Sequence, residues 1–143
     1  MGTRCGDIDP ALVTYMMAKE KLSIRRIEAL LNKESGLKGI SGVSNDMREL
    51  KEKAKAGSAR ANLAIDMFVY RVKKYIGAYI AIMKGCDVLV FTGGIGENSA
   101  RMVDSIYHDL CVFLNKRPKV FIVATNEELM IARQSFNLIK RDK

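Results

Sequence analysis

The stretch from Asp87 to Ala100, DVLVFTGGIGENSA, joins a short apolar run to a glycine-rich turn and a helix-start signal. Glycines 93, 94 and 96 permit positive φ and close backbone approach, and the free N–H groups of a helix starting after Ser99 favour an anion. This chemistry suits a phosphate or nucleotide loop. The stretch lacks the Lys of a Walker loop and the third glycine of a dinucleotide fingerprint. A plain strand-to-helix turn therefore remains the alternative.

Charged residues near the start of the chain offer a second kind of chemistry. Arg4 lies among small residues in MGTRCGD, where a guanidinium can contact a phosphoryl group through two hydrogen bonds. An exposed, solvated Arg is the simpler interpretation. Asp7 and Asp9 could hold a metal or orient Arg4, and the alternative roles are a turn and a helix N-cap before Pro10.

Two further segments place acids at predicted helix starts. Asp46, Met47 and Arg48 lie in the first turn of a short charged helix, where an acid complements the helix dipole without any other function. Glu127 lies just inside the last helix, where a carboxylate is favourable in any protein and could also support Mg²⁺.

Helices predicted in the first part of the chain must position Arg4 and the 46–48 segment. Pro10 suits the first turn of a helix that extends to about Lys21, and apolar periodicity predicts another helix from Ser23 to Lys33. Three glycines and three serines between residues 35 and 44 predict a loop in which Ser44 caps the next helix. A long helix with a wide apolar stripe is predicted from residue 58 to 85.

Strands and helices alternate after the long helix. We expect strand 87–92, a helix from Ser99 to about Leu114, strand 119–123 and a last helix from about Asn126. This order predicts a parallel strand pair. Thr125, followed three positions later by Glu128, has the pattern of a capping box.

The composition limits the class of protein. The 143 residues fit a single domain over 1–143, and 24 basic against 16 acidic residues give a net charge of +8. With no Trp and 7% aromatic residues, the chain has no stacking platform, and we expect no nucleic-acid partner. Its three cysteines lack metal-site spacing and suggest free thiols in a reducing cytoplasm. No apolar run is long enough to span a membrane.

Four motifs occur in the same order as in acetate kinases, and the chain resembles the C-terminal half of that family. The motifs are MGTRCGDIDPA at 1–11, SGLKGISGVSNDMREL at 35–50, FTGGIGENSA at 91–100 and ATNEELMIAR at 124–133. The resemblance also includes the long-helix sequence at 60–81. It implies an α/β fold, the C-terminal half of an actin-like, ribonuclease H-like ATPase, rich in helix and with a small parallel sheet.

The resemblance assigns roles that the residues alone leave open. It implies that Arg4 contacts the transition state of phosphoryl transfer and that Glu127 supports Mg²⁺. It also implies a nucleotide site for ATP or ADP, formed by residues from two segments: Asp46, Met47, Arg48, Gly94, Ile95, Gly96, Glu97 and Asn98.

The reaction implied by the resemblance is reversible transfer of the γ-phosphoryl group of ATP to acetate, giving acetyl phosphate and ADP. The family also implies a cytoplasmic homodimer formed through this part of the fold, with small-molecule substrates and no membrane partner. The catalytic His, an Asn, a further Arg and an Asp of acetate kinases belong upstream of everything present here. We therefore expect this chain to be inactive alone.

The sequence departs from the family pattern in one large feature, a shortened connection near residues 114–119. The shortening could delete an edge element of the sheet and leave backbone groups unpaired. Two alternatives to an enzyme part follow. The chain could be a non-catalytic nucleotide-binding or dimerisation module, or a truncated fragment without independent function.

Overall fold

The computed structural model describes residues 1–112, 114 and 116–141. Within those residues the chain forms eight helices and two strands, in the following order: α1 Pro10–Lys19, α2 Ile24–Lys33, α3 Gly36–Ser41, α4 Met47–Lys55, α5 Ala59–Met83, β1 Val88–Phe91, α6 Gly93–Glu97, α7 Ala100–Cys111, β2 Lys119–Ile122 and α8 Glu127–Arg141. None of the helices in the described part of the chain combines the length and apolarity that a membrane span requires.

The chain divides into two compact units, Met1–Ile76 (unit 1) and Gly77–Lys143 (unit 2). Helix α5 begins in unit 1 and ends in unit 2. Two compact units can still fold as one cooperative domain, so the expectation of a single domain over 1–143 stays a prediction.

Helices α1 and α2 of unit 1 start where the sequence predicts. Asp9 caps α1 by accepting a hydrogen bond from the Ala11 N–H, and Pro10 opens the first turn. Ser23 caps α2, accepting from the Arg26 N–H. Helix α1 ends at Lys19, two residues earlier than expected.

The segment predicted as a loop from Ser35 to Ser44 contains helix α3, so that prediction was wrong. Closely spaced glycines favour a loop, but tertiary contacts stabilise a helix here. The N–H groups of its first turn donate to the carbonyl oxygens of Met1 and Gly2, at 3.0 Å each. Its end is capped by Arg60, whose guanidinium donates to the carbonyl oxygens of Gly39 and Ile40.

The next helix is also capped differently from the prediction. Asp46, and not Ser44, is the N-cap of α4, while the Ser44 hydroxyl oxygen accepts from the Asp46 N–H. Helix α5 starts as predicted after Ser58, whose hydroxyl oxygen accepts from the Ala61 N–H. The core of unit 1 consists of apolar side chains from α2 to α5: Ile27, Leu37, Met47, Leu50, Ala61 and Ala64.

Unit 2 has the predicted parallel strand pair, β1 with β2, in the register Val88 to Lys119 and Phe91 to Ile122. This confirms a helix-rich chain with a small parallel sheet. Helix α7 ends at Cys111 rather than near Leu114. Two residues of the expected extension and shortened connection, Phe113 and Asn115, lie outside the described residues. The buried side chains of α7 are Met102, Val103, Ile106 and Leu110.

Candidate functional site

The segment that carries Arg4 is held by its backbone against α2 and α3. The Ser35 N–H donates to the Thr3 carbonyl oxygen at 2.9 Å, and the Cys5 N–H donates to the Leu31 carbonyl oxygen at 2.8 Å. Gly36 has a φ of 61°, and a β-carbon there would collide with the Met1 carbonyl oxygen. The Arg4 backbone is therefore fixed, while its side chain is exposed to solvent.

The turn that carries Asp46, Met47 and Arg48 lies in the same unit. A β-carbon at Gly2 would touch Asn45 at 3.4 Å, so the first segment passes directly beside this turn. The Asp46 carboxylate accepts from the Arg48 N–H at 2.8 Å and from Arg48 Nη2 at 2.7 Å. These side-chain and backbone hydrogen bonds lower the pKa of Asp46 to about 2. The Met47 side chain is buried and anchors the turn.

The glycine-rich segment after β1 forms a short helix, α6, where the sequence predicts a loop. Thr92 is extended and Gly93 has a φ of 74°, so the chain turns sharply out of the strand at this point. A β-carbon at Gly93 or Gly94 would meet nothing within 4 Å, so both glycines border open space. At Gly96 a β-carbon would lie 3.4 Å from Phe91, at the end of β1.

Thr125 joins α6 to the segment that precedes α8. Its hydroxyl oxygen accepts from the Gly93 N–H at 3.0 Å and lies 2.9 Å from the Thr92 hydroxyl. Its own N–H and hydroxyl donate to Glu97 Oε1 at 2.9 Å each. These hydrogen bonds lower the pKa of Glu97, and the bond from the Thr125 N–H has the largest effect.

The predicted capping box from Thr125 to Glu128 was wrong. Because Thr125 is engaged by Glu97 and Gly93, the N-cap role belongs to Asn126, whose side-chain oxygen accepts from the Leu129 N–H at 3.2 Å. Within the part of the chain that the structure describes, no three His, Cys, Asp or Glu side chains form a metal-binding group. Glu127 and Asn98 are exposed, and the Asn98 amide donates to the Gly94 carbonyl oxygen at 2.9 Å.

The predicted site residues therefore form two groups, one in each unit. Arg4 and the 46–48 turn belong to unit 1, and residues 94–98 together with Glu127 belong to unit 2. Sequence reasoning missed Thr92 and Thr125 as site residues. Their signal was available, because Thr92 ends the first predicted strand and Thr125 follows the second, and functional side chains collect at the carboxyl ends of parallel strands.

Comparison with known proteins supports one family. The family model described as the acetokinase family matches residues 1–115. The acetate kinase of Halothermothrix orenii is 47% identical over 161 residues, covering 98% of this chain and 40% of the relative. That of Methanosarcina thermophila is 44% identical over 162 residues, covering 99% of this chain and 40% of the relative.

Solved structures agree with the sequence relatives. The crystal structure of Porphyromonas gingivalis acetate kinase matches with a TM-score of 0.88 and 41% identity, covering 97% of this chain and 40% of that one. A propionate kinase from Francisella tularensis matches with a TM-score of 0.82 and 40% identity, covering 92% of this chain and 38% of that one. These matches confirm the actin-like ATPase fold that the resemblance implied.

The relatives contain residues that this chain lacks. The match to the Halothermothrix orenii protein extends over 161 residues, 18 more than the 143 of this chain, so the relative contains residues without a counterpart here. The family model stops matching at residue 115, directly before β2. The chain spans about 40% of the length of these relatives, and by its sequence and its fold it belongs to the acetokinase family.

Proposed function

We propose that this chain supplies the nucleotide and magnesium side of an acetate kinase that transfers the γ-phosphoryl group of ATP reversibly to acetate. The observation that carries the proposal is the contact of the glycine segment with Thr125, which holds the start of α8 beside residues 93–97. Phosphoryl transfer depends mainly on alignment and charge neutralisation, which such an arrangement supplies.

The nucleotide is proposed to bind along α6, with Gly94, Ile95, Gly96 and Asn98 near it. The open space at Gly94 supports this, since a side chain there would fill room that a ligand needs. Glu97 is proposed to act through Thr125, because its carboxylate is already engaged by that residue. In unit 1, Asp46, Met47 and Arg48 are proposed as nucleotide-binding residues that their capped turn holds in place.

Glu127 fits a magnesium role by its chemistry. Its carboxylate is exposed and makes no ion pair with the other described residues, and Mg²⁺ in phosphotransferases commonly takes one or two carboxylates together with phosphate oxygens and water. When bound, Mg²⁺ neutralises charge on the phosphate oxygens. Arg4 is proposed to offer its exposed guanidinium to the transferred phosphoryl group.

The second candidate function is that of a non-catalytic dimerisation module, in which two copies of this chain form the proposed homodimer. Within unit 1, α5 exposes apolar side chains along one stripe: Leu63, Met67 and Tyr70. Sedimentation should show a dimer that Met67→Glu dissociates, and a monomer at high concentration would contradict this. A cytoplasmic location is proposed as well, supported by the free thiols of Cys5, Cys86 and Cys111.

Calorimetric titration with MgADP tests the nucleotide site. Gly94→Val should fold normally, because its β-carbon meets no atom within 4 Å, yet lower the affinity at least about tenfold by filling the ligand space. Gly96→Arg should abolish binding. Gly77→Val in α5 is the matched control, since a β-carbon there also meets nothing. Equal MgADP affinity in wild type and Gly94→Val would refute this site.

A further inference from the structure

Arg71, on α5, lies under the loop that follows Arg4. Its Nη2 atom is 2.9 Å from Asp7 Oδ2, and the Tyr75 hydroxyl donates to the same carboxylate oxygen. The Arg71 side chain is only 17% exposed. The pKa of Asp7 is lowered mainly by the hydrogen bond from Tyr75, and the charge of Arg71 lowers it further. Asp7 is therefore held as a carboxylate against α5.

The loop backbone is shaped to receive this guanidinium. Gly6 has a φ of 72°, and a β-carbon there would lie 2.8 Å from Arg71 Nη2 and 3.0 Å from Cζ. Only glycine combines that backbone conformation with such close approach. The guanidinium is thus packed against the chain at Gly6 and Asp7, immediately after Arg4 and Cys5.

The burial of Arg71 carries a cost in folding free energy that packing alone does not explain. Its Nε atom is buried without a hydrogen-bond partner among the described residues. A buried donor without a partner opposes folding, so a simple apolar residue would serve the stability of α5 better. The arrangement instead favours a residue that fixes the loop in one conformation.

We propose that Arg71 is a positioning residue for Arg4, a role that rests on the proposed function of Arg4 in phosphoryl transfer. The loop has two anchors, one on each side of the Cys5–Gly6 peptide. The first is the bond from the Cys5 N–H to the Leu31 carbonyl oxygen, and the second is the contact of Arg71 with Gly6 and Asp7. Loss of the second anchor frees the chain directly after Arg4.

The thiol of Cys5 provides a local probe of this loop. In a chain with Cys86→Ser and Cys111→Ser, the rate of Cys5 modification by an aromatic disulfide reports on opening near Arg4. Arg71→Gln should raise this rate about tenfold without denaturant, because opening of the loop becomes easier. Arg71→Lys should restore part of the protection. Lys74→Gln is the matched control, since Lys74 acts on Asp7 by charge alone and should change the rate less than about twofold.

A merely structural role for Arg71 predicts a different pattern. It would lower the urea midpoint of the whole chain and leave the Cys5 rate unchanged among molecules that remain folded, and that result would overturn the proposal. If Arg71→Gln fails to fold, Tyr75→Phe removes a single hydroxyl from the same anchor. It should raise the Cys5 rate severalfold, and an unchanged rate in this variant would also overturn the proposal.

Inorganic phosphate separates this inference from the proposed function. Phosphate should slow Cys5 modification in the wild-type thiol background, and both Arg4→Gln and Arg71→Gln should remove that protection. Absence of protection in the wild-type background would count against phosphoryl binding by Arg4. The effect of Arg71 on the unliganded Cys5 rate would still decide whether Arg71 holds the loop.

Discussion

Unit 1 and unit 2 differ in how much of their own structure they stabilise. Unit 1 buries side chains from four helices in one core and fixes its site segment by backbone hydrogen bonds to α2 and α3. Unit 2 buries mainly one face of α7, and every α8 side chain that the structure describes is exposed. The strands of unit 2 expose Val88, Val90, Phe121 and Ile122.

This difference indicates which group of candidate residues is held by the packing of its own unit. Parallel sheets are normally covered on both faces, and a helix of 15 residues is only marginally stable without tertiary packing. The site residues of unit 1 therefore lie on a packed framework, whereas Glu127 lies on a helix whose described side chains are all exposed. The relatives, of which this chain spans about 40%, contain additional polypeptide.

The largest expected effect concerns catalysis. We predict that the isolated chain forms acetyl phosphate at least about a thousandfold more slowly than a full-length relative, because it spans about 40% of such a relative and the family resemblance implies further transition-state groups in the remaining part. A hydroxamate assay of acetyl phosphate, with acetate and ATP in excess, measures this rate. Product formation at a rate close to that of the relative and proportional to chain concentration would contradict this prediction. It would mean that the exposed elements of unit 2 suffice for catalysis.

The next effect tests the two cores directly. Leu50 in unit 1 is 0% exposed, so Leu50→Ala should lower the free energy of unfolding by about 2–5 kcal/mol. Phe136 in α8 is 63% exposed, and Phe136→Ala should cost less than about 1 kcal/mol although it removes a larger side chain. Urea unfolding followed by circular dichroism gives both values. Equal costs would mean that α8 is covered in solution.

The smallest expected effect is a pH dependence at the two carboxylates that stabilise site turns. Arg48 lowers the pKa of Asp46 to about 2. The contribution of Asp46 to the free energy of unfolding is therefore fully present above its ordinary pKa of 3.8 and is lost as the pH falls toward 2. The pKa of Glu97 is lowered by Thr125 from 4.5, so its contribution begins to fall at a higher pH.

Carboxyl chemical shifts from NMR between pH 2 and pH 6 can follow both groups separately. Asp46→Asn and Glu97→Gln assign the signals and serve as controls, because neither amide titrates. An Asp46 midpoint at or above 3.8 would contradict the ion pair with Arg48, and a Glu97 midpoint at or above 4.5 would contradict its hydrogen bonds to Thr125.

Local signals in the sequence predicted much of this fold. Pro10 located the start of α1, apolar periodicity located α2 and α5, and short apolar runs located both strands. Helix α3 was missed because its stability comes from Met1, Gly2 and Arg60, which are distant in sequence. Helix α6 was missed for a similar reason, since Thr125, which contacts Gly93 and Glu97, holds it in place.

For the candidate site, the sequence proposed residues but did not predict their surroundings. Motifs and the family resemblance identified Arg4, Asp46 and Glu127, and their roles stay predictions. The anchor at Asp7 was not predictable, because Tyr75 lies 68 residues away along the chain. Pairing over such a distance requires the fold, and no local pattern of charge or periodicity encodes it.

Strand β2 has a consequence for the behaviour of this chain in concentrated solution. Phe121, Ile122 and Val123 form an exposed β-branched and aromatic run, and one edge of β2 has no partner strand within the described residues. Such an edge is a template for aggregation between molecules. Lys116, Arg117 and Pro118 before the strand and Lys119 at its start act as gatekeepers. With a net charge of +8, repulsion between chains should oppose association at low ionic strength. Added salt would screen that repulsion and make this edge the first route to precipitation.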